Sequence, residues 1–523
     1  MNYKNFTGIS LAATLALTVL TTNLTADEAT GPKRTLKGSM VVDYKKLPGE
    51  VDSLAEMFTE GMWYGRVRLN TFKWDWKEES YTTNSAGYHS GNKDNHAAGI
   101  GGSIVYKTAR FAGLAATLGA YTSQNWFNTM DKEDSGILKA GKDTLSRYDY
   151  KNNDQLGMSV IAEANVDFKA GKTQATAGRQ LFESVFTASN DTKMIPNTFD
   201  GVVVTNKDIE NTKITLAHFV GQKLRDHTTS HDVITFKDAN GDSWGNNDDS
   251  AVHKGLNYDA FKRENKSVDH TLSIFSAKTK IGDDLKAEFS YLTVPEVLSD
   301  AVLEAHYTVK AGDTKIIPGF RYFKQMDNGG GDVQANNTSG TYTGGINLAG
   351  KPMTGYKNSA LDSLDSSLTN VRVDIQPTGA FKFRLGYSAV EDAADIVAPW
   401  RGFPTGGFTR AMAQYNWYAN TKTTMFRVDG NLGKLGLIPN TTFLVRYAVQ
   451  DFDDKKEGTQ ADSTVIHTDW IHKLAAVEGL EFKFRAGLVT AKDDIEYKDY
   501  TGATKTKADV SYDEYRFEVN YLF

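Results

Sequence analysis

The chain has 523 residues, no cysteine and a formal net charge of −6 at pH 7. The lack of cysteine excludes disulfides, thiolate nucleophiles and cysteine metal sites, and the acidic balance gives no reason to expect nucleic acid as a partner. An aromatic content of 11%, with 46 glycines and only 10 prolines, favours a protein of many strands and turns.

The first residues have the pattern of a secretory signal peptide. Lys4 precedes an apolar run from Ile9 to Leu20, and small residues follow up to Ala26. The run is shorter than the roughly 20 residues that a helix needs to cross a bilayer. We therefore predict a signal peptide over residues 1–26, cleaved near Ala26. No later stretch is apolar enough for a membrane helix, and the mean hydropathy is −0.45.

Residues 27–61 form an N-terminal extension ahead of the first predicted strand. The segment VDSLAEMFTEG, from Val51, predicts one short helix in the periplasm or at a barrel mouth. The sequence assigns this extension no function.

From residue 62 onward, segments of about ten residues alternate between apolar and polar side chains, which is the period of a β-strand. Leu156, Met158, Val160 and Ala162 oppose Ser159, Ile161 and Glu163 in one early segment. The final segment, YDEYRFEVNYLF, places Phe517 and Val519 opposite Arg516 and Glu518 and ends at Phe523. A terminal strand that ends in Phe resembles outer-membrane barrels generally, in which the assembly machinery reads that signature.

Eighteen such segments can be placed, and short connections alternate with long ones between them. They lie near residues 63, 97, 113, 156, 173, 199, 212, 268, 284, 301, 314, 367, 380, 423, 441, 464, 480 and 510. The stretch from Arg410 to Tyr418 also alternates, but a strand there would make the number odd, so we predict a loop. A soluble β-sandwich is the alternative fold. It is disfavoured because the second face of nearly every strand is charged, so one face must meet lipid and the other must enclose water. The predicted fold is an all-β transmembrane antiparallel barrel over residues 62–523, with short periplasmic turns and long extracellular loops.

On the inward-facing positions, basic residues outnumber acidic ones although the whole chain is acidic. A row of arginines in a pore with low-dielectric walls would lower the electrostatic cost for an anion to enter. The alternative is that pairs two residues apart neutralise each other, as Arg372/Asp374, Arg427/Asp429 and Arg516/Glu518 would. The arginines of this predicted lumenal ladder are Arg66, Arg68, Arg321, Arg372, Arg384, Arg427, Arg446 and Arg485.

The stretch from Ser189 to Asp226, which contains SNDTKMIPNTF, is similar to the constriction-loop region of the OprD family of outer-membrane porins. The resemblance implies a monomeric eighteen-stranded barrel whose third loop, near residues 181–198, folds inward. It also implies that Asp191 and Lys193 lie near the narrowest point, opposite ladder arginines. Lys193 stands where the family commonly has Arg, which keeps the charge but loses the two-pronged fork.

These observations predict a passive diffusion channel of the Gram-negative outer membrane for small hydrophilic solutes, carboxylate-bearing ones such as amino or organic acids. Its partners would be those solutes, outer-membrane lipid and lipopolysaccharide, and the assembly machinery that reads Phe523. The sequence leaves open whether the barrel is a monomer or a trimer. It predicts no cofactor.

Two other functional classes remain as alternatives. One is an adhesin or receptor that acts through the large loops. The other is an outer-membrane hydrolase, which is disfavoured because neither a nucleophile paired with a base nor a Gly-x-Ser-x-Gly elbow occurs. Metal binding is also disfavoured. Asp238 to Asp249 departs from a calcium loop at two positions, and His227 and His231 are expected to be exposed.

Overall fold

A computed structural model describes residues 34–37, 41–85, 87–237, 256–335, 363–377, 379–412, 414–454, 459–492, 495–498, 503–507 and 509–523. The predicted signal peptide and the Asp238 to Asp249 segment lie outside the described residues.

Eighteen long antiparallel strands close into a barrel, as the alternating pattern predicts. Each strand pairs with its neighbours in the sequence, and the last pairs with the first. In chain order the strands are β1 (Met62–Trp76), β2 (Asn95–Lys107), β3 (Leu114–Asn128), β4 (Met158–Ala170), β5 (Thr173–Gln180), β6 (Thr198–Asn206), β7 (Thr212–Lys223), β8 (Leu272–Ile281), β9 (Leu285–Val294), β10 (Leu298–Tyr307), β11 (Thr314–Asp327), β12 (Ser366–Gln376), β13 (Phe381–Val390), β14 (Lys422–Asn431), β15 (Thr441–Asp451), β16 (Ser463–Lys473), β17 (Leu480–Ala491) and β18 (Tyr512–Leu522).

Short turns join the strands at one end of the barrel, and long loops join them at the other, apart from a brief connection at residues 295–297. Outer-membrane barrels place short turns in the periplasm and long loops outside. The described part of Arg410 to Tyr418 forms no strand and belongs to the loop between β13 and β14, as the even strand number predicts.

The two faces of most strands differ as expected. In β18, Arg516, Glu518 and Asn520 are buried inside the barrel, whereas Phe517 is 41% exposed on the lipid side. The outward face forms the apolar band that a bilayer requires, because no water is present there to solvate polar groups.

Strand β4 departs from the expected orientation. Met158 and Val160 face the lumen rather than lipid, and Ile161 is 44% exposed on the outside. A β-bulge between Ile161 and Glu163 then turns Glu163 inward as well. The physical reason is that Met158 and Val160 pack against apolar side chains of an inward-folded loop, including Met194.

The N-terminal extension is described from Arg34. Strands Arg34–Lys37 and Val41–Tyr44 form a hairpin, and Glu50–Val51 pairs in parallel with Arg110–Phe111 in the turn between β2 and β3. Helix α1 (Leu54–Thr59) follows, as predicted. Its N-cap is Ser53, whose hydroxyl accepts a hydrogen bond from the amide of Glu56.

The barrel closes where the two chain ends of the sheet meet. Gly65 and Phe523 exchange two backbone hydrogen bonds, of 2.8 and 3.1 Å. The ring of Phe523 lies where a Cβ at position 65 would be, within 2.0 Å. A side chain at position 65 would therefore have to displace the terminal aromatic ring from β1.

The external loops carry most of the remaining regular structure, and the short strand Val309–Ala311 pairs with β11 in a periplasmic turn. Helices α2 (Arg147–Asn153), α3 (Tyr258–Arg263) and α4 (Gly330–Ala335) lie in the external loops, with short paired strands at Ser80–Thr83 and His89–Asn92 and at Glu496–Lys498 and Thr504–Thr506. The largest apolar cluster packs these loops onto the upper wall and includes Phe186, Phe261, Trp400 and Trp417. None of the helices in the described ranges is long and apolar enough to cross a membrane.

Candidate functional site

The loop between β5 and β6 contacts the inside of the wall through Asp191. Its carboxylate accepts two hydrogen bonds from Arg66, at 2.6 and 3.2 Å, and one from Arg68, at 3.2 Å. Arg68 also donates to Glu518 at 2.7 Å. All four side chains are fully buried. Charge-assisted, two-pronged contacts of this kind fix both the position and the orientation of the loop.

The backbone of the same loop has further anchors on β1. Asn70 donates to the carbonyls of Thr192 and Lys193, at 3.3 and 3.1 Å, and Arg66 donates to the carbonyl of Met194 at 3.1 Å. These bonds hold residues 191–194 against the inward face of the wall.

A second loop, between β13 and β14, also lies inside the barrel, and ladder arginines hold it. Arg321 donates to the carbonyl of Pro404 at 2.9 Å, and Arg372 donates to that of Gly407 at 2.6 Å. Arg384 also bonds to Gly407, and Arg446 donates to the carbonyl of Arg410 at 2.9 Å. Four of the predicted ladder arginines therefore hold this loop in place by donating hydrogen bonds to its backbone carbonyls.

The two loops touch each other. The amide of Ala188 donates to the carbonyl of Trp400 at 3.1 Å. A Cβ at Gly402 would lie 2.0 Å from the carbonyl oxygen of Phe186, so only glycine permits this approach.

Carboxylates neutralise part of the ladder, but not always the predicted ones. Arg427 pairs with Asp429 at 2.8 Å, as the sequence spacing suggests. Asp374 instead pairs with Arg384 across the strands, at 2.6 Å, and Glu518 pairs with Arg68 rather than Arg516. Further partners are Glu304 for Arg321, Asp469 for Arg485 and Glu514 for Arg516.

Above these contacts lies a cavity of about 890 Å³ between the loops and the outer half of the wall. Its only acidic lining residue within the described ranges is Asp143. Aromatic side chains line it too, including Trp74 and Tyr512, which stack with centroids 4.1 Å apart. The basic lining residues are Lys139, Lys142, Lys193, Arg225, Arg401, Arg410, Arg446, Arg485, Lys507 and Arg516. We call this cavity the basic vestibule.

Three of the predicted site residues, Lys193, Arg446 and Arg485, line the basic vestibule, and the others do not. Asp191, Arg66 and Arg68 form the buried anchor of the first loop. Of the rest, Arg321, Arg372 and Arg384 contact the second loop, while Arg427 is paired on the wall.

The pKa values of three charged groups that line the vestibule differ from their ordinary values. Burial alone would raise the pKa of Asp143, but the cations of Arg225 and Arg401 outweigh it and lower that pKa. Burial and the neighbouring Arg225 lower the pKa of Arg401 to about 10, so it stays charged at pH 7. Burial, together with Arg516, lowers the pKa of Lys193 well below its ordinary value. Its ammonium lies 4.2 Å from the centroid of the Phe72 ring.

Sequence reasoning missed the vestibule cations that come from loops, such as Arg225, Arg401 and Arg410. Loop residues have no period that reveals which way they face. The available signal is the density of aromatic residues around Arg401, because large aromatics such as Trp400 and Trp417 are rarely left in solvent.

The described residues contain no group of three or more His, Asp or Glu side chains placed to hold a metal ion. His227, expected to be exposed, is only 4% exposed and packs against Phe236, with ring centroids 4.6 Å apart. The described segment that carries His227, up to residue 237, therefore packs inward instead of extending into solvent.

Comparison with known proteins gives a family and a fold. A family model described as outer membrane porin, OprD family, matches residues 129–523. Two similar solved structures are those of Pseudomonas aeruginosa OccK8 (OprE), with a TM-score of 0.61 at 12% identity, and P. aeruginosa OpdK with vanillate, with 0.60 at 11%. In both cases 89% of this chain and 99% of the other are covered. Acinetobacter baumannii OccAB1 has a TM-score of 0.59 at 14% identity, over 89% and 97%. No curated protein sequence matches.

Proposed function

The chain belongs to the OprD family of outer-membrane porins, and from this premise we propose that it is a passive diffusion channel that favours small carboxylate-bearing solutes. The outer membrane is its location and small solutes are its cargo, as for the family. The preference for carboxylates is the finer proposal, and it rests on the chemistry of the basic vestibule.

The observation that carries this proposal is the imbalance of charge in the vestibule lining. Among the described residues, ten basic side chains line the cavity and Asp143 is the one acid. Such a lining in a low-dielectric surround concentrates anions at the mouth of the pore. Cations of similar size meet a repulsive potential at the same place. The overall charge of −6 does not oppose this, because the lining and not the whole surface sets the local potential.

The chemistry of the lining suits organic acids better than inorganic anions alone. The planar guanidinium groups of the lining arginines have the geometry that matches the two oxygens of a carboxylate. The stacked Trp74 and Tyr512 offer an apolar face to the carbon skeleton of the solute. Vanillate, with which the OpdK structure was solved, is an aromatic carboxylate and a suitable probe for this chain.

The buried arginines have a different task in this proposal. Arg66 and Arg68 bind Asp191 of the first loop. Arg372 and Arg384 bind the backbone of the second loop. By holding both loops inside the barrel, these arginines set the width of the pore. Direct guidance of solutes then falls to the cations that line the vestibule, with Lys193 at the contact between the first loop and the cavity.

The test is liposome swelling driven by matched solutes, with single-channel recording in a KCl gradient. We expect vanillate to permeate faster than vanillyl alcohol, its uncharged counterpart, and the reversal potential to indicate anion preference. Lys193→Gln should reduce both differences. The control is Lys310→Gln, since that side chain is 64% exposed near the periplasmic turn between β10 and β11.

Equal permeation by the acid and the alcohol, with no ion preference, would leave a general porin. A protein that assembles but does not conduct would favour the adhesin alternative, in which the large external loops are the functional part. We also propose, from the sequence, that cleavage occurs near Ala26 and that the assembly machinery reads Phe523.

A further inference from the structure

The N-terminal hairpin, formed by residues 34–37 and 41–44, lies against side chains that face the inside of the barrel. Arg34 is 1% exposed and donates to the hydroxyl of Ser103 on β2 at 3.2 Å. Tyr44 donates to Glu163 on β4 at 3.2 Å, and its ring packs edge-on against Tyr64 of β1, with centroids 4.8 Å apart. Three strands of the wall thus contact the hairpin from the lumen side.

The hairpin approaches from the periplasmic end. The connection after it returns to the rim, where Gly49 accepts a hydrogen bond from the amide of Arg110 in the first short turn, at 2.8 Å. Tyr64, near the periplasmic start of β1, donates to the carbonyl of Lys46 at 2.6 Å. The described part of the hairpin therefore lies in the lumen, and the chain after it leads to the periplasmic rim.

The hairpin packs in the same apolar cluster as the first inward loop. Tyr44 packs on the apolar cluster that contains Met194 and Ile195 of that loop and Val160 of the wall. The ammonium of Lys107 lies 4.3 Å from the centroid of the Tyr44 ring. The inward apolar side chains of β4 belong to the same cluster.

The hairpin and the two lysines that follow it carry an excess of basic residues. Residues 34–46 contain the bases Arg34, Lys37, Lys45 and Lys46 and a single acid, Asp43. A basic segment on the periplasmic side of the loops continues the positive lining of the vestibule.

We propose that the N-terminal hairpin is a second selectivity element of the pore: it narrows the periplasmic half of the lumen, supports the first inward loop from below and extends the anion path. This rests on the proposed channel function and assigns the extension a task for which the sequence pattern gave none. The element is built into the chain ahead of the barrel, and not into an external loop.

The test uses the absence of natural cysteine. A single thiol at Asp43→Cys reports on the hairpin, and Leu54→Cys on helix α1 is the control, because Leu54 is 60% exposed at the rim. In the assembled barrel, a small anionic methanethiosulfonate should modify both thiols. A maleimide carrying a polyethylene glycol of several kilodaltons should modify the control far more than the thiol at position 43.

Conductance gives the second readout. Modification of Asp43→Cys by the small reagent should lower the single-channel current in a step, and modification of Leu54→Cys should leave it unchanged. Deletion of residues 27–46 should raise the conductance and weaken the anion preference. The cysteine variants decide the matter even where that deletion fails to assemble.

Two results would overturn the proposal: equal reaction of both thiols with the large reagent, or an unchanged current after complete modification at position 43. Both leave the channel function intact. If the wild-type barrel does not conduct, the proposed channel function is wrong. The selectivity role of the hairpin is then wrong as well, whatever the labelling shows about its position.

Discussion

The sharpest prediction concerns the anchor of the first loop, and the perturbation is Asp191→Ala. Asp191 is fully buried and serves Arg66 and Arg68 together. Removing one partner from a buried ion pair costs about 3–5 kcal/mol, because the remaining charge is left uncompensated. Arg68 keeps Glu518, whereas Arg66 keeps only the carbonyl of Met194, so the lower end of that range applies.

At about 1.4 kcal/mol for each factor of ten, a cost of about 3 kcal/mol reduces the ratio of docked to undocked loop by roughly a hundredfold. The barrel itself should survive, because its strand ladders do not involve Asp191. The expected result is a properly assembled channel with larger and noisier single-channel currents and weaker ion selectivity.

The matched control is Asp200→Ala, at the start of β6. Asp200 pairs with Arg179, but both side chains are about a quarter exposed. Such a partly exposed pair contributes less than a fully buried one, and it does not hold the inward loop, so conductance should change little. If Asp191→Ala gives currents and noise equal to those of the wild type and of Asp200→Ala, the loop is not held by this anchor.

Three further predictions concern Lys193, Gly402 and Gly65. Because burial and the neighbouring Arg516 lower the pKa of Lys193, its charge is lost at a lower pH than that of an ordinary lysine. Anion preference should therefore decline with rising pH before an ordinary lysine would titrate. Lys193→Arg should remove that decline in reversal-potential measurements, and a persistent decline would place the titrating group elsewhere. Gly402→Val should separate the two inward loops, since its Cβ would collide with the carbonyl of Phe186, and so raise conductance; an unchanged current would show that the contact does not limit the pore. Gly65→Val should displace the ring of Phe523 and lower the yield of heat-modifiable, folded barrel on gels, whereas a normal yield would show that the ring is dispensable.

The wall of the barrel was predictable from the sequence because the bilayer imposes a strict rule on it. Every membrane strand must alternate between lipid and lumen, and every connection must be short or long according to its side. That rule located the eighteen strands and kept Arg410 to Tyr418 out of the count. It failed in β4, where an apolar lumen face serves contacts with Met194 rather than lipid.

The contents of the lumen were less predictable. Backbone carbonyls such as that of Gly407 are acceptors that no side-chain pattern reveals. The sequence spacing of Arg372 and Arg384 therefore could not predict that they hold the second loop. The burial of Arg34 depends on Ser103, 69 positions away. Contacts of this range follow from the closed shape of the wall, which the sequence predicts only in outline.

The seam between Gly65 and Phe523 has a consequence for how the molecule is made. The first and last strands are each other's only partners on that side, so no pairing of neighbours along the sequence can complete the sheet. Until β18 joins β1, the sheet is an open ribbon with two bare edges, and hydrocarbon does not tolerate unpaired amides and carbonyls. The barrel therefore cannot close in the membrane until the last strand, β18, has paired with β1. The N-terminal hairpin precedes β1 in the chain. It is therefore next in sequence to the strand whose outer edge stays unpaired until β18 has been added.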